Sequence, residues 1–329
     1  MSVNRTFFII GNLSCLTMES VIVLGAGLIG KTIAIDLSDK YKVSSADMHS
    51  DSLEVLSSKY PITTTLLDFN DKAALKKLIN QFDLVISAVP GFMGYDVLKT
   101  IIEEGKNVVD ISFFPEDVFT LDELAKKNNV TAVVDCGVAP GMCNIIAGYH
   151  NAQMKIERYE CLVGGLPIKR EWPFEYKAVF SPIDVIEEYI RPARFVEDGK
   201  LIVKEALSGI EKFKVNGCPE LESFNTDGLR SLAQTMPNIL NMKEKTLRYP
   251  GHAELMKVFR ETGLFGKEAI NVNGEKVIPL KVMTQLLFPK WKMQPGEEDF
   301  TVMSVVLEGD TKTITYTLLD YYDKSTNTK

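Results

Sequence analysis

The sequence predicts an α/β protein: a doubly wound parallel sheet followed by a β-rich α+β region. Three observations carry this reading. An apolar run, Val21-Ile22-Val23-Leu24, leads straight into Gly25-Ala26-Gly27-Leu28-Ile29-Gly30, with glycines at the G-x-G-x-x-G spacing. Short apolar strands then alternate with helical segments as far as about residue 140, the pattern of a sheet covered on both faces. Beyond about residue 150 period-two patterns and turn signals take over.

Each glycine of the loop has a physical task. Gly25 allows the tight strand-to-helix turn, and Gly27 lets backbone approach a pyrophosphate. Gly30 lets the next helix, expected over Leu28–Asp39, pack against the strand. The first N–H groups of that helix, around Leu28 and Ile29, then point at the phosphates. This is the Rossmann dinucleotide fingerprint. The second apolar-then-acidic segment, Tyr41–Asp47, places Asp47 about 20 residues on, where a carboxylate accepts hydrogen bonds from the adenine ribose. Such a carboxylate repels a 2′-phosphate, and Met48, His49 and Ser50 supply no Lys or Arg to offset it. The expected cofactor is therefore NAD rather than NADP. A solvated aspartate at a strand end is the competing reading.

The alternation continues with a helix over Asp51–Lys59, a strand over Ile62–Leu67 ending at Asp68, which is counted as cofactor-binding, and a helix over Lys72–Asn80 with Leu75, Leu78 and Ile79 on one side. Phe82 to Val89 reads as a buried strand stopped by Pro90-Gly91. Because ligands of such sheets bind at the carboxyl ends of the strands, Ala88, Val89 and Pro90 are expected beside the cofactor. Asn107–Asp110 is a fifth strand and Val130–Val134 a sixth. The sixth leads through Val138 and Ala139, also counted as cofactor-binding, to Pro140-Gly141 and a helix over Cys143–His150. Further on, strands are expected over Arg158–Val163, with a turn at Gly164-Gly165-Leu166-Pro167, and over Glu175–Phe180. Hairpins are expected at Glu197-Asp198-Gly199 and Glu308-Gly309-Asp310, and a helix near Gly251.

Composition removes several classes. A net charge of −7, with no run of five basic residues, speaks against nucleic acid or an anionic membrane as partner. No apolar run reaches the length of about 18 residues that a membrane helix needs. The five cysteines form no C-x-x-C pair and none adjoins a histidine at metal spacing. Reduced thiols, no metal and a cytoplasmic location follow as expectations. Residues 1–17 read as an extension upstream of a start at Met18.

Several segments together carry something more specific. They are Gly25–Gly30, Asp135-Cys136-Gly137-Val138-Ala139-Pro140-Gly141, Gly164-Gly165-Leu166-Pro167, Asn225-Thr226-Asp227-Gly228-Leu229-Arg230, Thr246-Leu247-Arg248-Tyr249-Pro250-Gly251-His252 and Asp299-Phe300-Thr301-Val302-Met303. On these the chain resembles the saccharopine dehydrogenase family, most closely its lysine 6-dehydrogenase branch. The resemblance implies a Rossmann domain over 18–140 and a saccharopine-reductase-like substrate-binding and dimerisation domain over 141–329. Saccharopine-forming relatives carry an arginine in the segment matching Asn225–Asp227, where this chain has Thr226, and lack a histidine where His252 stands. Both departures imply a free amino acid, lysine, as substrate, with a homodimer as the assembly. Relatives continue past Tyr321-Tyr322-Asp323, whereas this sequence stops at Lys329. If that stretch closes the active site, activity is impaired.

Oxidising a primary amine requires it neutral, and a lysine-type amine has a pKa of about 10.4, so the site needs a base tuned towards neutrality and a grip on the carboxylate. His252 is the first choice among the three histidines, against a helix-start histidine bonded to backbone. Arg248 is the candidate carboxylate clamp, against a strand-end salt bridge. Asp110 and Asp227 are candidates for balancing the amine's charge, each against a capping role, and Tyr249 for donating a hydrogen bond, against packing. Two other readings stay open: reduction of an imine formed from an amino acid and an aldehyde, and a non-catalytic NAD-binding protein.

Overall fold

In this computed structural model the described residues are 20–294, 296–310 and 312–324. The expected extension at residues 1–17 and the last residues of the chain lie outside them. The chain divides into two compact units, the second starting at Val138.

The first unit begins with β1 (Ser20–Leu24), α1 (Leu28–Ser38), β2 (Lys42–Asp47), α2 (Ser50–Lys59), β3 (Thr63–Leu66) and α3 (Lys72–Ile79). It continues with β4 (Leu84–Ser87), α4 (Gly91–Glu103), β5 (Asn107–Asp110), α5 (Asp122–Lys127) and β6 (Ala132–Val133). All strand pairs are parallel, in the order β3-β2-β1-β4-β5-β6. Alternation along β1 explains the two covered faces. Val21 and Val23 pack with Ala34, Leu53 and Leu56 of α1 and α2, while Ile22 and Leu24 pack with Leu75, Leu98 and Ile101 of α3 and α4. Strand order reverses between β1 and β4, and that switch point opens the crevice at the carboxyl ends. The sixth strand is shorter than the apolar run Val130–Val134 suggests: Asn129 takes a positive φ and Thr131 N–H is spent on the Asn107 side chain.

The second unit runs α6 (Met142–Asn151), β7 (Ile156–Pro167), α7 (Pro182–Ile190), β8 (Ala193–Glu197), β9 (Lys200–Lys204), β10 (Glu211–Phe213) and β11 (Leu221–Asn225). The short α8 (Leu232–Thr235), β12 (Asn241–Arg248), α9 (His252–Glu261), β13 (Ile270–Val272), β14 (Glu275–Val277), α10 (Pro279–Trp291), β15 (Asp299–Gly309) and β16 (Thr313–Tyr321) follow. Its main sheet has eight strands, with β10-β11-β12-β7-β15-β16 in line and β8 and β9 joined through β12. β12 and β7 run parallel; the other pairs are antiparallel. Both expected hairpins form, as β8–β9 and β15–β16.

Two expectations fail here. Gly164-Gly165-Leu166-Pro167 is not a turn but the continuation of β7. The glycines serve close packing: a Cβ on Gly164 would lie 2.5 Å from the Leu247 carbonyl oxygen, and one on Gly165 2.5 Å from Val179 Cγ2. Glu175–Phe180 is not a strand either. Glu175 takes a positive φ, Tyr176 and Ala178 are drawn into the core around Trp291, and a single bridge, Ala178 to Lys292, is its only ladder-like pairing among the described residues. Among the described residues no helix is long and apolar enough to cross a membrane.

Candidate functional site

In the first unit the glycine loop is built as its spacing requires. A Cβ on Gly25, whose φ is +99°, would lie 2.5 Å from the Ala88 carbonyl oxygen, and one on Gly30 would lie 2.0 Å from the Gly25 carbonyl oxygen. A Cβ on Gly27 would meet nothing within 4 Å. Two glycines thus lock the loop against β4 and α1, and the third keeps a space clear above the backbone. α1 starts at that space with no side-chain cap, and Leu28 and Ile29 in its first turn are exposed. The cradle fits a pyrophosphate: open space faces uncapped N–H groups at the positive end of a helix.

Asp47 closes the loop from the end of β2. Its Oδ2 accepts from Ala26 N–H at 2.6 Å, and its Oδ1 accepts from His49 N–H at 2.8 Å and lies 3.0 Å from His49 Nδ1. The carboxylate is therefore part of the loop's own hydrogen bonding. Asp68, by contrast, is exposed after β3 and accepts from Asn70 N–H and Nδ2, a local turn. Ala88, Val89 and Pro90 follow β4 at the switch point, with Ala88 N–H donating to Leu24 O. Val138 and Ala139 fall in the second unit, where Val138 is exposed and bridges to Gly141 and Ala139 packs near Cys143.

A polar group sits at the carboxyl ends of β4 and β5. Asp110, fully buried, accepts from Ser112 N–H at 2.9 Å and from Ser112 Oγ at 3.1 Å, and Ser112 Oγ lies 3.4 Å from Ser87 Oγ. Cys136 N–H donates to the Asp110 carbonyl at 3.1 Å. Burial, then the Asp110 charge, push the Cys136 thiol up, so it stays protonated. The role of Ser87 was not legible in the sequence, since it depends on the β4–β5 register that sets it beside Asp110.

In the second unit the candidates for catalysis are engaged in packing, and several expectations are corrected. His252 opens α9 inside an aromatic cluster with Tyr176, Tyr189 and Trp291. Its Nδ1 faces the Phe174 carbonyl at 3.0 Å and so carries the proton; its Nε2 then accepts from the Tyr189 hydroxyl at 2.9 Å. Burial, helped by the Arg248 charge, lowers its pKa to about 3. A ring held neutral with both nitrogens spent is no base for a substrate at neutral pH.

Arg248 donates to Glu188 Oε2 at 2.9 Å and to the Leu247 carbonyl at 2.9 Å, with its guanidinium 4.5 Å from the Tyr176 ring centre. Burial works against its charge, but Tyr176, Tyr189 and Glu188 more than compensate and raise its pKa. It is a buried ion-pair partner rather than a free clamp. Glu188 came from α7, sixty positions earlier in the chain, which no local pattern exposes.

Asp227 is gripped by Arg194 through Nε to Oδ1 and Nη2 to Oδ2, both at 2.8 Å, so its charge is already balanced. Tyr249 donates to the Pro167 carbonyl at 2.9 Å beneath the Arg170 guanidinium, and burial pushes its pKa up to about 12. Thr226, also buried, pairs its hydroxyl with that of Thr246 at 2.9 Å. The segment that holds Tyr249 and His252 is anchored by Glu222, whose carboxylate accepts from Gly251 N–H and Ala253 N–H at 3.0 Å each.

Comparison with known proteins agrees with this division. Residues 21–133 match the saccharopine dehydrogenase NADP binding domain, and residues 137–329 match the saccharopine dehydrogenase C-terminal domain. Saccharopine dehydrogenase [NADP(+), L-glutamate-forming] of Pyricularia oryzae is 30% identical over 302 residues, covering 88% of this chain and 66% of the relative. The mitochondrial alpha-aminoadipic semialdehyde synthase of Bos taurus is 25% identical over 276 residues, covering 78% of this chain and 30% of the relative. The chain thus spans less than two-thirds of the length of both curated relatives. Apo saccharopine dehydrogenase (L-Glu forming) from Saccharomyces cerevisiae superposes with a TM-score of 0.72 at 20% identity, covering 94% of this chain and 87% of that one, which extends the likeness to the fold. With both domain models matched in sequence order over nearly all of the described residues, the chain belongs to the saccharopine dehydrogenase family.

Proposed function

We propose that this protein is an NAD-dependent amino acid dehydrogenase that oxidatively deaminates the side-chain amine of L-lysine. The observation that carries the cofactor half is the Gly27 cradle closed by Asp47. A bound nicotinamide dinucleotide supplies the hydride acceptor. The Asp47 carboxylate favours ribose hydroxyls over a 2′-phosphate, and residues 48–50 include no Lys or Arg. That preference departs from the NADP named for the fungal relatives.

The substrate half rests on chemistry and on one departure. The family resemblance implies an arginine in saccharopine-forming relatives where Thr226 stands, and here its hydroxyl is tied to Thr246. A second carboxylate on the substrate thereby loses a bidentate partner. The Asp110–Ser112–Ser87 group is the polar feature that we assign to the nicotinamide end of the crevice, because ligands of doubly wound sheets sit outside the carboxyl ends of the strands. Its task is to hold a proton-bearing or cationic part of the substrate next to the reacting carbon. With His252 locked, deprotonation of the amine falls to this group or to a desolvated pocket. We include pairing of two copies in the proposal: edge strand β9 presents Leu201 and Val203 to solvent.

The test is NADH formation by the purified chain with L-lysine, with ammonia measured in parallel and NADP as comparator. Equal yields of NADH and ammonia support the reading. Dinucleotide binding with turnover of saccharopine but not lysine replaces it with the relatives' reaction. A single-chain mass by light scattering removes the pairing.

A further inference from the structure

One face of the second sheet carries a cluster that the proposed reaction does not use. Cys161 on β7 and Glu244 on β12 are register partners, so their side chains stand side by side on the same face. Cys143, in the first turn of α6, comes down onto them, its Sγ 4.0 Å from Glu244 Oε2 and 3.2 Å from Asn144 Oδ1. One ligand atom from each of Cys143, Cys161 and Glu244 lies within 4.8 Å of the other two, and all three residues are buried. Tyr159 precedes Cys161 by two residues on the same face. Its hydroxyl is buried beside the Cys143 thiol with no well-formed hydrogen bond. Gly228 leaves room for the carboxylate, since a Cβ there would lie 2.3 Å from Glu244 Oε1.

We propose that Cys143, Cys161 and Glu244 bind one thiophilic divalent cation, with zinc the best match, and that the Tyr159 hydroxyl oxygen takes the fourth position. The donor set, two sulfurs and hard oxygens, suits zinc, and a closed set of four protein ligands marks a structural rather than a catalytic site. Zinc–sulfur bonds of about 2.3 Å require the side chains to draw in by roughly an ångström, which side-chain rotation provides. Binding releases the two thiol protons to solvent. The ion ties the neighbouring α6 and β7 to β12, which lies far downstream in the sequence. No spacing rule reveals such a site, because its ligands come from three separate segments.

The experiment uses the untagged full-length chain, purified without chelator and then dialysed against zinc. Total metal analysis is expected to give about one zinc per chain. Removing a direct ligand costs at least the tenfold to hundredfold in affinity typical of an outer-sphere partner, so Glu244→Gln and Cys161→Ser are expected to retain less than about a tenth of an equivalent. As a second readout, cadmium added to the chelator-stripped wild type is expected to give an ultraviolet thiolate-to-metal band. That band is expected to vanish in Cys143→Ser chains that keep the wild-type circular dichroism. If the variants do not fold, the wild-type band decides alone. Wild-type protein with neither zinc nor a cadmium band overturns the proposal, and so does metal retained by folded Cys143→Ser or Cys161→Ser.

Discussion

Replacing Gly27 by alanine adds one methyl group at a position where the fold makes no use of its absence. The backbone there has φ −69° and ψ −165°, ordinary extended geometry, and a Cβ would touch nothing within 4 Å. The unfolded chain loses some freedom, which stabilises by about 0.4–1 kcal/mol, while alanine is a poorer helix N-cap than glycine by a similar amount. The net change in stability is expected within about 0.5 kcal/mol. Binding is another matter, because the methyl occupies the space assigned in the proposal to the pyrophosphate, in front of the N–H groups of α1. Each charge-assisted hydrogen bond lost costs about 1.5 kcal/mol, so losing two weakens the Kd for NAD about a hundredfold. Gly30→Ala is the contrasting control, since its Cβ would lie 2.0 Å from a backbone oxygen. Overpacking of that kind costs about 1–3 kcal/mol, or roughly 2–4 °C of Tm for each kcal/mol. Calorimetric titration with NAD and thermal melts of both variants provide the comparison. Gly27→Ala binding NAD as tightly as the wild type, or melting as low as Gly30→Ala, refutes the assignment of this space to the cofactor.

Three further outcomes are expected. Asp47→Ala removes the proposed ribose acceptor together with the partner of Ala26 N–H, so NAD affinity should fall about tenfold and the gap to NADP should narrow; an unchanged preference in competition binding means the ribose is read elsewhere. His252 has a folded pKa of about 3 against an ordinary 6.5, so between those values the unfolded chain holds a proton that the folded chain does not. Its stabilisation is complete above about pH 6.5 and is lost as the pH falls, reaching about 2 kcal/mol of loss at pH 5. Urea titrations at pH 7 and pH 5 should show that loss in the wild type and a flatter profile in His252→Gln; equal profiles would count against a buried neutral ring. Arg248→Met leaves the Glu188 carboxylate without its partner in a site where burial already raises its pKa. The expected cost is about 3 kcal/mol, the lower end for a broken buried pair because Glu188 keeps part of its surface in solvent. Adding Glu188→Gln should recover part of it, and no recovery would mean that packing alone accounts for the loss.

What the sequence made legible was what depends on near neighbours. The parallel sheet of the first unit shows in the alternation of short apolar runs and helical segments, and α1, α2 and β5 fall within a residue or two of their expected limits. Asp47 was legible because the fingerprint fixes its distance from the glycine loop. The second unit hid more, because its residues answer to distant ones. Gly164 and Gly165 read as a turn until Leu247 and Val179 are seen above them. His252 looked like a base because a free imidazole titrates near neutrality, but Tyr176, Tyr189 and Trp291 arrive from other segments to bury it. Arg248 and Asp227 had the right chemistry for binding, yet Glu188 and Arg194 reach them first.

The parallel pairing of β7 with β12 has a consequence for how the chain acquires its structure. Arg158 of β7 is flanked by Asn241 of β12 on one side and Glu308 of β15 on the other, so the middle of this sheet is closed entirely by contacts remote in sequence. Loop-closure entropy must be met before those contacts reward it, and topologies of this kind reach the native state slowly. The first unit, whose strands mostly join neighbours across single helices, with the β1–β4 pair at the switch point as the exception, is complete in sequence before β12 is synthesised. β7, by contrast, meets its two partners only at β12 and β15, far downstream in the sequence. Until both have been added, β7 lacks the strands that cover its edges, and an uncovered strand edge is open to pairing with another chain.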